Sequence, residues 1–258
     1  MSKPELEAAL RNLTLGGLSY LASTRSTNDE ALAWAASGAQ DLSLVVADEQ
    51  TSGRGREGRR WFTPPGAGLA FSLVLRPGEA MREQTGRFSG LGALALLMAL
   101  RRRGLEAQIK WPNDVLIRRR KVAGILVETV WMGTEVESLV LGMGVNVSPA
   151  ALPPADQLNF PATCVETELG AKVPRYELLR DVLEELIGLR AELASDGFIE
   201  AWQDALAFRN ETVHIWQGGG QPFSAVLLGL DSDGSLRVRS PGGEERSIHF
   251  GEVHLRPG

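Results

Sequence analysis

The chain has 258 residues, 43% of them hydrophobic and 23% charged, which fits an ordinary globular fold and excludes wholesale disorder. At this length about three quarters of the unfolded chain's surface would be buried, enough for a core without disulfides or structural metal. The 27 Lys+Arg against 32 Asp+Glu leave a formal charge of −5, so a nucleic-acid role would need a local basic patch.

Met1-Ser2-Lys3-Pro4-Glu5 leads into a mixed, acidic stretch and does not read as a secretory signal. Glu5 to Leu13 reads as a short helix. Thr27-Asn28-Asp29-Glu30 is a helix start, with Thr27 as cap and Glu30 reaching back to it, and the helix stops near Gly38. Leu42 to Ala47 reads as a buried strand. Glu49 to Gly68 is polar, Arg-rich and punctuated by Gly and Pro, so it reads as a long loop. Leu69 to Arg76 returns to strand, with Leu69, Phe71, Leu73 and Leu75 on one face. Ser89 to Arg103 is helical in character; its apolar run from Leu91 to Leu100 is too short to span a bilayer. Val122 to Trp131 and Ser138 to Val147 read as a strand pair joined around Gly133. Leu152 to Asn159 is a Pro-containing loop, and Tyr176 to Ala194 an amphipathic helix.

Near residue 209 the texture changes. Short β-like runs at Thr212–Trp216, Ser224–Leu230, Ser235–Arg239 and Arg246–His249 are separated by Gly218-Gly219-Gly220, Asp231-Ser232-Asp233-Gly234 and Pro241-Gly242-Gly243. The pattern predicts a small β-barrel over 210–258 behind an α+β domain over 1–209. The only cysteine, Cys164, excludes an intramolecular disulfide and a Cys-rich zinc site, and reads as a small buried hydrophobe. His214, His249 and His254 all fall in the C-terminal segment, so a histidine triad in the larger domain is excluded.

Gly53-Arg54-Gly55-Arg56-Glu57-Gly58-Arg59-Arg60-Trp61 satisfies the G-x-G-x-x-G pattern of dinucleotide sites. That pattern must open a helix directly after a strand, and here Pro64-Pro65 follow instead. Glycines admit a ligand close to the backbone, and arginines grip phosphate or carboxylate with paired N–H donors. A flexible solvated loop would have the same composition. Such a loop repels itself when empty and should settle only on an anion. Lys110-Trp111-Pro112-Asn113-Asp114 reads as a rigid turn. Lys110 could neutralise a phosphate and Asp114 hold magnesium, or the two could form a plain ion pair. On the Leu139–Val147 strand one face carries Leu139, Leu141, Met143, Val145 and Val147, the other Val140, Gly142, Gly144 and Asn146. A face hollowed by glycine admits a ligand or packs against a neighbouring element. Ser26-Thr27-Asn28 at a helix start suits a polar ligand or simple capping. Arg119-Arg120-Lys121 reads as a charged turn.

In this order and spacing the segments resemble the biotin protein ligases: Ser26-Thr27-Asn28, Glu49-Gln50-Thr51, the Gly53–Trp61 loop, Lys110–Asp114, Lys121-Val122-Ala123-Gly124-Ile125-Leu126-Val127-Glu128, and Gly142-Met143-Gly144-Val145-Asn146. The resemblance runs from about residue 20 to the end. It implies a class II synthetase-like biotin/lipoate ligase domain, a mixed sheet flanked by helices, with a C-terminal SH3-like barrel. It implies adenylation of biotin by ATP and Mg²⁺, then transfer to a lysine of the biotin carboxyl carrier protein of acetyl-CoA carboxylase. Ser26, Thr27, Asn28, Gln50, Gly53, Arg54, Gly55, Arg56, Lys121 and Gly124 would then face biotin. Arg56, Arg59, Trp61, Lys110, Asn113 and Asn146 would face the nucleotide, and Asp114 the metal. Arg56, Lys110 and Lys121 would carry the chemistry. Only about 22 residues precede Ser23, so no DNA-binding helix-turn-helix is expected. Further expectations are a cytoplasmic protein without a membrane partner, a possible homodimer through a sheet edge, and a barrel that supports ATP or carrier binding. Glu57 stands where a basic or small residue is expected, and would weaken the phosphate grip or pair with a neighbouring arginine. Lipoate ligases and octanoyltransferases, which share the catalytic fold, carry a different glycine/arginine signature. A non-catalytic vitamin-binding module would have no use for Arg56, Lys110 and Asp114.

Overall fold

The structure is a computed structural model and describes residues 1–78, 84–133, 135–158, 160–217, 221–249 and 253–257. Helix α1 spans Lys3–Leu10, α2 Thr27–Ala36, α3 Arg87–Arg102, α4 Val165–Leu169, α5 Arg175–Arg190 and α6 Asp196–Asp204. The first seven strands are β1 Gly17–Leu21, β2 Ser43–Ala47, β3 Gly68–Leu75, β4 Ala107–Lys110, β5 Asp114–Ile117, β6 Arg120–Met132 and β7 Glu135–Asn146. They form one sheet in the order β1-β2-β3-β7-β6-β5-β4. The β1–β2 pair is parallel and the other pairs are antiparallel, so the sheet is mixed, as the resemblance implies.

The two faces of this sheet do different work. Leu69, Phe71, Leu73 and Leu75 of β3 join Leu139, Leu141, Met143 and Val145 of β7 in the main core, beneath α3. Each such fully buried side chain contributes roughly 1.5–3 kcal/mol. Helix α3 is buried almost all round because α5 covers its far side. On the opposite face Val74 of β3 and Val140 of β7 meet Ala31 and Ala35 of α2 in a small second cluster. That cluster is short. Beyond it β7 carries Gly142 and Gly144, and the sheet surface opens into a cavity.

The C-terminal strands are β8 Thr212–Gln217, β9 Phe223–Leu230, β10 Leu236–Arg239, β11 Glu245–Ile248 and β12 Val253–Pro257. They form an antiparallel sheet in the order β11-β10-β9-β8-β12. The predicted small β domain is therefore present as a five-stranded sheet, one strand richer than expected. The turn expected at Gly218-Gly219-Gly220 and the end of the loop at Asn159 lie outside the described residues. The chain reaches this second sheet along the edge of the first. Ile109 N donates to Ala205 O at 2.7 Å, and Ala207 N returns to Ile109 O at 2.8 Å.

Several local expectations change. The first helix ends at Leu10 rather than Leu13. Thr27 is the first helical residue, and Ser26 is the cap position without a side-chain capping bond. Gln50 takes that role, since its Oε1 accepts from Thr27 N at 2.9 Å. Glu30 instead accepts from the Thr24 hydroxyl at 2.7 Å. Among the described residues no helix is long and apolar enough to cross a membrane.

Candidate active site

The cavity on the glycine face of β7 encloses about 830 Å³. One end is polar and mostly uncharged. Ser26, Thr27 and Asn28 at the start of α2 are all buried. The Ser72 hydroxyl, fully buried on β3, lies 2.8 Å from Thr27 Oγ1 and 2.6 Å from Asn28 Oδ1. Gln50 accepts from Thr27 and donates from Nε2 to Thr63 Oγ1 at 3.2 Å. Asn28 Nδ2 donates to Glu128 Oε2 at 2.7 Å. The missing side chains of β7 make this possible. A Cβ on Gly142 would fall 1.8 Å from Asn28 Oδ1, and one on Gly144 would fall 2.2 Å from Trp61 Nε1. The hollowed face thus receives the amide from α2 and the indole that ends the arginine loop.

That loop is a compact hairpin. Trp61 N donates to Gly53 O at 2.8 Å and Gly55 N to Arg59 O at 2.7 Å. Glu57 and Gly58 turn its tip with φ of 58° and 70°. Its charges are met within the protein, against the expectation of self-repulsion in the empty loop. Arg54 forms a two-pronged pair with Glu128 (2.9 and 2.7 Å) and reaches Asp29 at 2.7 Å. Arg59 pairs with Glu57 at 3.0 Å, and Arg60 donates to Thr51 O at 3.1 Å. Glu57 therefore does pair with a neighbouring arginine. Burial pushes the Arg56 guanidinium down from its ordinary pKa, against the charges of Glu57 and Asp114 and with that of Arg59.

The other end of the cavity is cationic. Strands β4 and β5 form a hairpin whose turn is Trp111-Pro112-Asn113, so Lys110 and Asp114 face each other as its last cross-strand pair. Asp114 stands between two ammonium groups, Lys110 Nζ at 3.0 Å and Lys121 Nζ at 2.5 Å. Burial alone would raise the Asp114 carboxyl; the two lysines overcome it and hold the group well below the usual carboxylate range. One negative charge between two positive ones leaves the corner with an excess cation. Lys110 Nζ also lies 5.1 Å from the Phe160 ring centroid, and Lys121 Nζ 5.4 Å from that of Trp61.

All the predicted residues except Gly53 line this cavity, and some of them also hold its walls. Gly53 is buried at the stem of the loop. A Cβ on Gly124 would fall 3.3 Å from both Lys121 Nζ and the Trp61 ring. Asn113 ties the hairpin to β6, its Nδ2 donating to Ile125 O at 2.7 Å. Asn146 Nδ2 donates to Thr163 O at 3.1 Å. The strap 161–163 carrying that carbonyl is paired with Lys121 on both sides: Lys121 N to Pro161 O at 2.7 Å, and Thr163 N to Lys121 O at 2.9 Å. Glu168, buried at 1% exposure, anchors the strap by accepting from Arg120 at 2.5 Å and from the Thr163 hydroxyl. Of the basic turn, Arg119 pairs with Glu211 and Arg120 with Glu168, so only Lys121 turns to the cavity. Sequence reasoning missed Ser72, Glu128, Thr63 and Phe160. Ser72 carries a signal, a lone hydroxyl on the Ala70/Val74 face of an apolar strand.

Among the described residues no cluster of three or more His, Cys, Asp or Glu could hold a metal. Both oxygens of Asp114 are engaged by lysines. One such carboxylate does not make a resident metal centre. It fits a magnesium ion that arrives on nucleotide phosphates, since magnesium keeps waters and takes one or two carboxylates beside phosphate oxygens.

Comparison with known proteins decides the family. Residues 20–146 match the Biotin/lipoate A/B protein ligase family, and residues 210–256 match the Biotin protein ligase C terminal domain. The chain is 37% identical over 238 residues to the biotin–[acetyl-CoA-carboxylase] ligase of Paracoccus denitrificans, covering 87% of this chain and 95% of that one. This chain belongs to the biotin protein ligase family. It is also 34% identical over 259 residues to the bifunctional ligase/repressor BirA of Bacillus spizizenii, covering 99% of this chain and 79% of that protein. The biotin protein ligase of Aquifex aeolicus, solved in complex with biotin and ATP, superposes with a TM-score of 0.79 at 27% identity, covering 94% of this chain and 99% of that one.

Proposed function

We propose that this chain is a biotin–[acetyl-CoA-carboxylase] ligase that activates biotin with ATP and transfers it to a lysine of the carboxyl carrier protein. The observation that carries the reading is the polarity of the cavity, neutral hydrogen-bonding groups at one end and cations at the other. Biotin has the matching polarity. Its ureido ring needs donors and acceptors together, which Ser26, Thr27, Asn28 and Gln50 supply. Its carboxylate needs positive charge. A lipoyl or octanoyl chain offers nothing comparable to the neutral end.

In the first step a biotin carboxylate oxygen attacks the α-phosphorus of ATP. The new P–O bond forms as the bond to pyrophosphate breaks, and pyrophosphate leaves with the electron pair. Two anions must meet for this, so cations that face the developing phosphoryl charge accelerate it. Lys110, Lys121 and Arg56 are placed to do so. Lys110 and Lys121 can exchange Asp114 for phosphate and carboxylate oxygens without leaving the corner. Asp114 would hold a magnesium ion arriving with the triphosphate, which would further neutralise the phosphate charge. Trp61 and the hairpin around Arg56 cover the mixed anhydride and exclude water. In the second step a carrier lysine, deprotonated on entry, attacks the anhydride carbonyl. An amide forms and AMP leaves.

Asn113 and Asn146, tied to Ile125 and Thr163, wall the nucleotide end in this reading. A homodimer through an edge of the catalytic sheet, and action without binding DNA, belong to the same proposal; sedimentation and operator-shift assays decide them. The central test is exchange of labelled pyrophosphate into ATP. Exchange that depends on biotin, and not on lipoate or octanoate, is the expected result. Exchange supported by lipoate alone, or none with any acid, overturns the reading.

A further inference from the structure

Arg54 belongs to the arginine loop, yet its guanidinium is held away from the cationic corner. Glu128 takes both of its terminal nitrogens, at 2.9 and 2.7 Å, and Asp29 takes one of them again at 2.7 Å. The same Glu128 Oε2 accepts from Asn28 Nδ2 at 2.7 Å. One carboxylate therefore joins three segments that are far apart in sequence: the stem of the loop, the first turn of α2, and β6. Glu128 also settles the orientation of the Asn28 amide. An acceptor-only carboxylate fixes its nitrogen on one side, while the Ser72 hydroxyl lies at its oxygen on the other, 2.6 Å away. Gly142 leaves room for the amide, whose nitrogen also lies 3.4 Å from Leu126 O.

We infer that Glu128 is a positioning residue for the vitamin-binding end of the cavity, locking the loop stem and the Asn28 amide before any ligand arrives. The inference rests on the reading of this site as biotin-activating. Its physical basis is a difference between stem and tip. Paired, nearly planar guanidinium–carboxylate contacts are directional and strong for a partly exposed site. They keep Arg54 in place while Arg56, beyond Gly55, remains the group that answers to phosphate. Without Glu128 the Arg54 guanidinium keeps only the single contact to Asp29 and loses its two-pronged anchor, and Asn28 loses its charged partner. The neutral end would then form only when biotin binds, and the cost of ordering it would appear in biotin affinity alone.

The test separates biotin from ATP. In Glu128→Gln the side-chain shape is kept, but the negative charge is lost and one accepting oxygen becomes a donating –NH2, so the two-pronged grip on Arg54 and the acceptance from Asn28 cannot all be kept. KM for biotin should rise about tenfold, with a larger rise in Glu128→Ala, while KM for ATP and kcat hold within about twofold. Direct titration with biotin in the absence of nucleotide should show the same loss. Arg54→Met combined with Glu128→Gln should weaken biotin no more than the stronger single variant, because the two act as one unit. An unchanged biotin affinity, an equal rise in both KM values, or multiplicative single effects would each overturn the inference. The wild-type protein is run alongside: if it shows no biotin-dependent exchange, the proposed function fails, whereas wild-type exchange with indifferent Glu128 variants removes only the role of Glu128.

Discussion

The indole N–H of Trp111 donates to the carbonyl oxygen of Gly234 across 3.0 Å. Trp111 follows Lys110 directly, so the turn that shapes the cationic corner leans on the C-terminal sheet. Arg87 reinforces the contact, donating to Ser232 O from Nε at 3.0 Å and to Leu193 O at 2.7 Å. Trp111→Phe keeps the ring and leaves Gly234 O without this donor, at a cost of about 1–3 kcal/mol. The expected outcome is a lower urea midpoint together with slower pyrophosphate exchange. Gly234 has φ of 85°, so Gly234→Ala should strain the same turn by roughly 1–2 kcal/mol and repeat the kinetic effect from the other domain. Loss of stability without loss of exchange would show that the contact does not reach the chemistry.

Asp114 sets an acid limit. Its folded pKa lies below the ordinary 3.8, so its pairing stabilises the protein fully above that value. The stabilisation is lost as the pH falls from there toward the depressed value. Asp114→Asn should flatten the stability-versus-pH slope below about pH 4 and lower stability at neutral pH, where Lys110 and Lys121 would face each other uncompensated. Denaturant midpoints measured from pH 7 downward check both signs.

The sheet is thinned where the cavity begins. Gly144→Ala places a methyl group against the Trp61 indole, and Gly142→Ala places one on the Asn28 amide. Both neighbours are held from other directions, so overpacking should cost about 1–3 kcal/mol in each variant. Biotin titration should be weakened more by Gly142→Ala, and adenylate retention more by Gly144→Ala. Equal effects on both measurements would show that the two glycines serve packing alone.

Arg56→Ala should release the adenylate faster than the wild type. The expected readout is a shorter lifetime of the enzyme-bound intermediate after rapid gel filtration. Retention equal to the wild type would remove Arg56 from the closing set.

Long, periodic elements could be read from the sequence and short paired ones could not. Alternation exposed β3 and β7, and an apolar run with helical spacing exposed α3. Strands β4 and β5 have four residues each, too short for their alternation to show, so the motif between them reads as a turn without its strands. Strand β1 is half-buried along its whole length and shows no alternation. Helix α4 has only five residues and its role is to deliver Glu168. In the site, the motif residues were found because their types and order are specific. Ser72 was missed because it lies inside a strand that reads as core, and Glu128, quoted at the end of its motif, was given no role because its partners, Arg54 and Asn28, come from distant segments. The capping assignment at Thr27 failed for a related reason: its partner, Gln50, comes from a distant loop.

The connector between the two sheets runs beside β4 as a further strand position, bonded to Ile109 on both sides. A tether of that kind leaves no hinge. Heating should therefore melt the whole chain in a single calorimetric peak, and a protease should find no site within the buried connector 205–208 at which to part the two sheets.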